Sequence, residues 1–562
     1  MKPVTEFSPS APSARVRSPA MRAGGSRASI PRLLDLLVAA TGAVALAPIV
    51  AALLRSVLRP WPETLFDNDL ATIEVAVREV IAFERAVGAY SRFGWAQPGP
   101  AGFVALVPSY LLLGQASFAL IVGALLMHAA AAGCALLLAW RYLGRTASLA
   151  VALGVLVLPL AFTSNELANP WPPFQVVAPV FFLLTAASAV AVNRSAPLGA
   201  VLLAATIAVQ THLGTAPVVG AVLLVCLAVR HFAPRLEVAR SRRSRAFALA
   251  AGLSAGALWI PPLVEQLGPH RGGEQAGNMS LIARTFRHRD GHRDIVGLAG
   301  GRELVSASVD DCARALHRLF ESQSQPAARP EEDRSGRPTR VLLLALVAAA
   351  AIAAWRRDRI ALAMLAVASA ALAAGLFAAA SIVGEPLPYL VTFLVPVIVS
   401  VGAATLASVG GAVVACLRAR GAGTTARFAA ASVILAAVLR PAWATTIRDR
   451  RELWLNTPPG LETVVDAARG AAAAGTKPGG CARVGAVGDA WVWASGVVLA
   501  LEKSGLSPAI DDSLVTLFGK KRLGPGRACV ELRLVDRRVE KAPAGEVLAS
   551  IPAVDLVQLK QY

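Results

Sequence analysis

Residues 33–57 read LLDLLVAATGAVALAPIVAALLRSV, a run with one acidic residue near its start and one basic residue near its end. It is long enough to cross a bilayer and shows no alternation of apolar and polar positions. Working outward, the thirty residues before it are rich in Pro, Ser and Arg, with Lys2, Arg15, Arg17, Arg22 and Arg27. The run is too long for a cleavable signal and lacks a small-residue cleavage site, so it reads as a retained anchor with the basic tail in the cytoplasm. Ten further apolar runs follow, near 115–140, 147–163, 174–192, 196–212, 214–231, 246–264, 341–355, 360–382, 389–416 and 427–443.

The composition agrees. Hydrophobic residues make up 55% of the 562 and charged residues 16%, with a mean hydropathy of +0.57. A soluble domain carries roughly a quarter charged residues, so most of this chain is solvated by lipid. Continuous runs also exclude an outer-membrane barrel, which needs short alternating segments. The net charge of +19 flanks the apolar runs and reads as topology signal, not as a nucleic-acid footprint. Arg exceeds Lys and Ala dominates the apolar set, a pattern of high-GC bacterial genomes.

Charge placement orients the spans. Arg141 and Arg145, Arg194, the group from Arg230 to Arg245, Arg356, Arg357 and Arg359, and Arg418, Arg420 and Arg427 all fall on the side of the basic tail. The expected fold is thus an all-α polytopic membrane protein of about eleven spans with a small C-terminal extracytoplasmic α/β domain. The organisation is a cytoplasmic tail over 1–31, a transmembrane module over 32–444 with outside loops 58–114 and 265–340, and the α/β domain over 445–562. That last segment pairs strand-like RVGAVGD and PAIDD with helix-like AWVWASGVVLALEKSG. Its Gly485–Gly488 stretch reads as a tight strand-to-helix turn. Cys481 and Cys529 lie where oxidation is permitted, and no Cys/His spacing suggests zinc.

The first outside loop holds the richest chemistry. Asp67 and Asp69, separated by Asn68, directly follow the first span. Two carboxylates so spaced can hold a divalent cation, or one can act as general base while the other tunes it. Helix capping by Asp69 is the competing reading. ATIEVAVREVIAFERAV then reads as an amphipathic helix lying in the interface, and WAQPGPAGFVALVPSYLLLG as a second interfacial segment. Glu166 is the one ionised side chain in a very short second outside loop, where a carboxylate faces a cavity or a partner. Substrate-binding candidates are Arg92, Gln97, His212, Glu265, Gln266, Asn278 and Arg284. An arginine among them can grip a phosphate by charge-assisted bonds, and His212 can orient or protonate a substrate. Stretch 321–340 reads as linker.

The DND at 67–69 after the first span, the loop QPGPAGFVALVPSYLLLG at 97–114 and Glu166 in the second loop together resemble the GT-C class of membrane glycosyltransferases. That class includes protein O-mannosyltransferases, aminoarabinose transferases, oligosaccharyltransferase catalytic subunits and mycobacterial arabinosyltransferases. The resemblance covers residues 33–300 in order and spacing. Many members carry a histidine where this chain has Gln97. It implies transfer of a sugar from a polyprenyl-phosphate donor to a glycan or other envelope acceptor outside the cytoplasmic membrane. Asp67 or Asp69 would be the base, and an arginine, or a divalent cation (Mg or Mn) held by Asp69 and Glu166, would stabilise the leaving phosphate. Rival readings are a non-catalytic relative in envelope assembly and a transporter or flippase; the latter lacks the expected internal repeat.

Overall fold

The computed structural model describes residues 29–58, 65–162, 164–193, 196–232, 242–268, 277–287, 295–320, 337–419, 459–475, 481–506, 508–523, 529–538 and 545–559. The expected cytoplasmic tail up to residue 28, the linker over 321–336 and the last expected span at 427–443 lie outside the described residues.

The apolar runs fold as helices because each must satisfy its own backbone groups away from water. They are α1 (Ser29–Leu58), α4 (Ala119–Leu138), α5 (Gly144–Ala161), α8 (Val177–Val192), α9 (Leu198–Thr211), α10 (Ala216–Phe232), α11 (Arg242–Leu267), α14 (Arg337–Trp355), α15 (Arg359–Ala380) and α16 (Leu394–Ala419). Eight stretches among the described residues are long and apolar enough to span. One of them, Ala119–Ala161, contains two helices, α4 and α5. The break falls after a π turn at Ala139–Leu143, where Gly144 takes φ +79 in the left-handed region that a side chain resists. Helix α9, with 14 residues, is shorter than a full span. Ten of the eleven expected spans therefore correspond to described helices.

Every residue of α8 is buried, so α8 is the axis of the bundle. Its polar residues are satisfied internally: Thr185 and Ser188 donate to Phe181 O and Leu184 O, one turn back. Around it, α4, α5, α9, α10, α15 and α16 share one apolar core.

Four short helices occupy the first two loops: α2 (Asn68–Ile81), α3 (Ala101–Leu112), α6 (Ser164–Ala168) and α7 (Pro172–Gln175). Here the structure corrects the expected interfacial helix. In α2 every residue from Ala71 to Val77 is buried, including Thr72 and Glu74, so no face of this stretch is left for lipid. It packs on α3 and on the C-terminal helix Trp491–Lys503, and the three share a second core with Leu65, Phe66, Tyr110, Leu461 and Val497. The polar face is neutralised across that boundary. Glu74 is fully buried, 2.9 Å from Lys503 Nζ and 2.9 Å from Tyr110 OH. Arg78 meets Glu502 at 2.7 Å, and Arg522 meets both Glu79 and Glu502 at 2.9 Å.

The 265–340 loop is also built. It contains α12 (Asn278–Arg287) and α13 (Gly297–Phe320), and α13 buries Val305, Val309, Cys312 and Ala315 against α5, α15 and α16. The C-terminal unit is a five-stranded sheet in the order β2-β1-β3-β5-β4. Strands β1 (Cys481–Val487), β2 (Ala509–Ile510) and β3 (Cys529–Asp536) are parallel, while β4 (Gly545–Ser550) and β5 (Val554–Leu559) close it antiparallel. Strand β1 leads into Trp491–Lys503 through a turn where Gly488 has φ +66. Cys529 is disulfide-bonded, and Cys481 is its register neighbour on β1.

Candidate functional site

The chain leaves α1 and enters α2 through Leu65 and Phe66, both buried, which fixes the next three residues at the end of the bundle. Asp67 is the residue preceding α2, but its side chain makes no capping bond. Asp69 lies within the first turn of α2, so it is not the cap either. Asn68 between them has φ +50, a conformation Asn tolerates better than most side chains, and its buried Oδ1 has no partner. Neither carboxylate forms an ion pair among the described residues.

Burial pushes the pKa of both carboxylates up. For Asp67 a backbone hydrogen bond opposes this and the neighbouring Asp69 charge adds to it. For Asp69 the opposing influence is Tyr90, whose hydroxyl donates to Oδ1 at 2.5 Å. Burial and the adjacent carboxylate raise the Tyr90 phenol in turn, so it stays protonated and donating. The result is a carboxylate poised closer to neutrality than an exposed one, with its ionised form held by one donor.

Glu166 is half-buried on α6. Two residues on, Ala168 belongs to the same apolar core as Leu65 and Phe66, and the ring centroid of Trp171 lies 4.5 Å from that of Tyr389. Tyr389 is close enough to Asp69 and Arg92 for their charges to act on it; burial raises its pKa, Arg92 lowers it, and Asp69 and Glu385 raise it. Segment 383–392, before α16, is the hub. Arg92 Nη2 donates to Val383 O at 2.5 Å and to Glu385 O at 3.4 Å, while His212 Nε2 lies 3.1 Å from Leu390 O. Arg92 is otherwise exposed and stacks over Phe93.

The remaining candidates hold loops together. Gln97 is buried; its Oε1 accepts from Leu213 N at 2.7 Å, which ties the first loop to the turn after α9. His212 is buried in that turn. Glu265 accepts from Asn278 N at 3.0 Å, and Gln266 accepts from Met279 N at 3.0 Å. Both cap α12 from the end of α11. Asn278 Oδ1 and Nδ2 grip Ala96 N and O at 2.8 and 2.9 Å. Arg284 is exposed on α12.

Asp67, Asp69 and Arg92 are thus gathered around the acidic turn with Tyr389, Glu166 lies on the short helix before Trp171, and Gln97, His212, Glu265, Gln266 and Asn278 brace the loops. Two residues were missed by sequence reasoning, Tyr90 and Tyr389. The signal was scarcity: the chain has five tyrosines, with Tyr90 in a polar break between apolar runs and Tyr389 at the first position of the run 389–416. Among the described residues no three His, Cys, Asp or Glu side chains come together as a cation site.

A bundle of apolar helices with a carboxylate pair in its first turn, sharing a core with a small α/β unit, is a polytopic membrane protein of the GT-C fold. Among solved structures it is similar to ArnT of Cupriavidus metallidurans bound to undecaprenyl phosphate, with 14% identity, 95% of this chain and 98% of that chain covered, and a TM-score of 0.53. It is also similar to the apo state of that protein, with 13% identity, 94% and 98% coverage and a TM-score of 0.51. A third likeness is to the archaeal oligosaccharyltransferase AglB from Archaeoglobus fulgidus, in complex with an inhibitory peptide and a dolichol-phosphate, at 13% identity, 88% and 69% coverage and a TM-score of 0.42. No protein-family model matches the chain, and no curated protein matches its sequence.

Proposed function

We propose that this chain transfers a sugar from a polyprenyl-phosphate donor to a hydroxyl-bearing envelope acceptor on the outer side of the cytoplasmic membrane. The observation that carries the reading is the half-buried pair Asp67 and Asp69, spent on neither a helix cap nor an ion pair among the described residues. An ionised carboxylate is expensive to bury, and one left without a counter-charge at the mouth of a membrane bundle is available for proton transfer. The fold supports the donor class, since ArnT, which shares it, was captured with undecaprenyl phosphate.

In this mechanism the isoprenoid tail stays in lipid between helices, and the phosphate and sugar enter the space framed by the acidic turn, Glu166, Tyr389 and Arg92. Asp69 accepts the proton of the acceptor hydroxyl as its oxygen forms a bond to the anomeric carbon. The bond from that carbon to the phosphate oxygen breaks, its electron pair leaves with the lipid phosphate, and the anomeric configuration inverts. Tyr90 holds Asp69 ionised and oriented. Arg92, anchored by backbone carbonyls that leave its charge in place, offsets the negative charge developing on the phosphate. The Asp69 charge raises the pKa of Asp67, which keeps the ionised form on Asp69. The braced loops exclude water, the competing nucleophile. The test is sugar transfer in membranes supplied with a panel of polyprenyl-phosphate sugars. Asp69→Asn should lower the rate by about a hundredfold or more, the scale of a lost general base; rates near wild type on every active donor would remove Asp69 from the mechanism.

A further inference from the structure

At the opposite end of the bundle from the acidic turn, α9 and α11 cross backbone to backbone. A Cβ placed on Gly199 would run into Ala248 O and Gly252 N. Beside this crossing the two helices and the end of α10 enclose a recess of about 470 Å³, within the usual range of small-molecule sites. Its wall is apolar, built from Leu202, Leu249, Leu253 and the two glycines, and its rim carries Arg230 and Arg245. The three leucines are 41%, 64% and 64% exposed, so the recess opens sideways toward the surface that a bilayer covers. It lies at the start of α9, about 20 Å along that helix from the turn holding His212. It is therefore separate from the proposed reaction centre.

We infer that this recess is a binding site for one anionic phospholipid, with its phosphate between Arg230 and Arg245 and an acyl chain along Leu202, Leu249 and Leu253. Three features select that occupant. The guanidinium groups sit where helices end and headgroups begin, and basic pockets between membrane helices recognise anionic headgroups. The floor is apolar, which suits a chain and not a free anion. Arg230 also donates to Val190 O at 3.5 Å, a long bond that holds the head at the rim. A phospholipid wedged here would brace the α9–α11 crossing, whose other ends carry Gln97's partner turn and the caps of α12.

The experiment is native mass spectrometry of the purified full-length protein in detergent, titrated separately with phosphatidylglycerol, phosphatidylcholine and undecaprenyl phosphate. Phosphatidylglycerol should be retained in preference to phosphatidylcholine. The double variant Arg230→Gln/Arg245→Gln should weaken that retention about thirtyfold, the loss of two headgroup contacts. Leu202→Trp, which fills the recess and keeps both arginines, should weaken it as well; if the double variant fails to assemble, this single variant decides. Equal retention of the two phospholipids, or unchanged phosphatidylglycerol binding in Leu202→Trp, would overturn the site. Stronger, arginine-dependent retention of undecaprenyl phosphate would reject a phospholipid as its occupant.

Discussion

Replacing Tyr90 by Phe removes one oxygen and, with it, the donor that favours the ionised form of Asp69. A hydrogen bond to a charged group contributes about 1.5–3 kcal/mol, and about 1.4 kcal/mol corresponds to one pH unit. The Asp69 pKa is already raised by burial and is restrained by this bond. Its loss moves the carboxylate further up by about one to two pH units. If Asp69 is the base, the acidic limb of kcat/KM for sugar transfer moves to higher pH by that amount, because the limb reports the free protein's essential base. Activity falls most on the acidic side of the profile and recovers toward alkaline pH. The assay is a pH–rate profile of Tyr90→Phe beside wild type with one active donor. An acidic limb that stays in place would show that another group, Asp67 first among them, takes the proton.

The same burial gives a stability prediction of opposite sense to activity. Asp67 and Asp69 have folded pKa values above the ordinary 3.8, so the stability linked to them is fully present below that value and is lost as pH rises through the folded values. Asp67→Asn and Asp69→Asn should therefore unfold at or above the wild-type temperature at pH 7, and a fall of several degrees would contradict the assigned environment. Lys503→Met strands the fully buried Glu74 and should cost about 3–5 kcal/mol in unfolding measurements. The double variant Glu74→Gln/Lys503→Met should recover more than half of that; equal losses would mean that the pair is not the source. The expected sidedness is checked by Asp466→Cys, at an exposed position of the helix Leu461–Gly475. It should react with a membrane-impermeant maleimide on intact cells, and labelling only after lysis would place the α/β unit inside.

The spans were legible because lipid-facing helices need nothing beyond their own apolar run. The acidic turn was legible for a related reason: carboxylates at the end of such a run stand out. What was hidden depends on partners distant in the chain. Glu74, Arg78 and Glu79 look like the solvated face of an interfacial helix, but their counter-charges are Lys503, Glu502 and Arg522, and Lys503 is 429 positions from Glu74. Periodicity records that a face is polar and is silent on whether water or another polar face covers it. Helix α13 escaped for a similar reason, since its buried stripe is interrupted by Asp310, Asp311 and Arg314. Tyr90 and Tyr389 acquire their roles only when segments nearly three hundred residues apart meet, as in the bond from Arg92 to Val383. The candidates Glu265, Gln266 and Asn278 were found as polar groups at a membrane mouth, yet their side chains are occupied by backbone groups, a distinction only coordinates make.

The most direct measurement is release of polyprenyl phosphate by the purified protein from polyprenyl-phosphate sugars, with acceptor present and absent. The account predicts acceptor-dependent release for at least one sugar, reduced by about a hundredfold or more in Asp69→Asn. Release that is absent across the panel, or equal in wild type and Asp69→Asn, would contradict it.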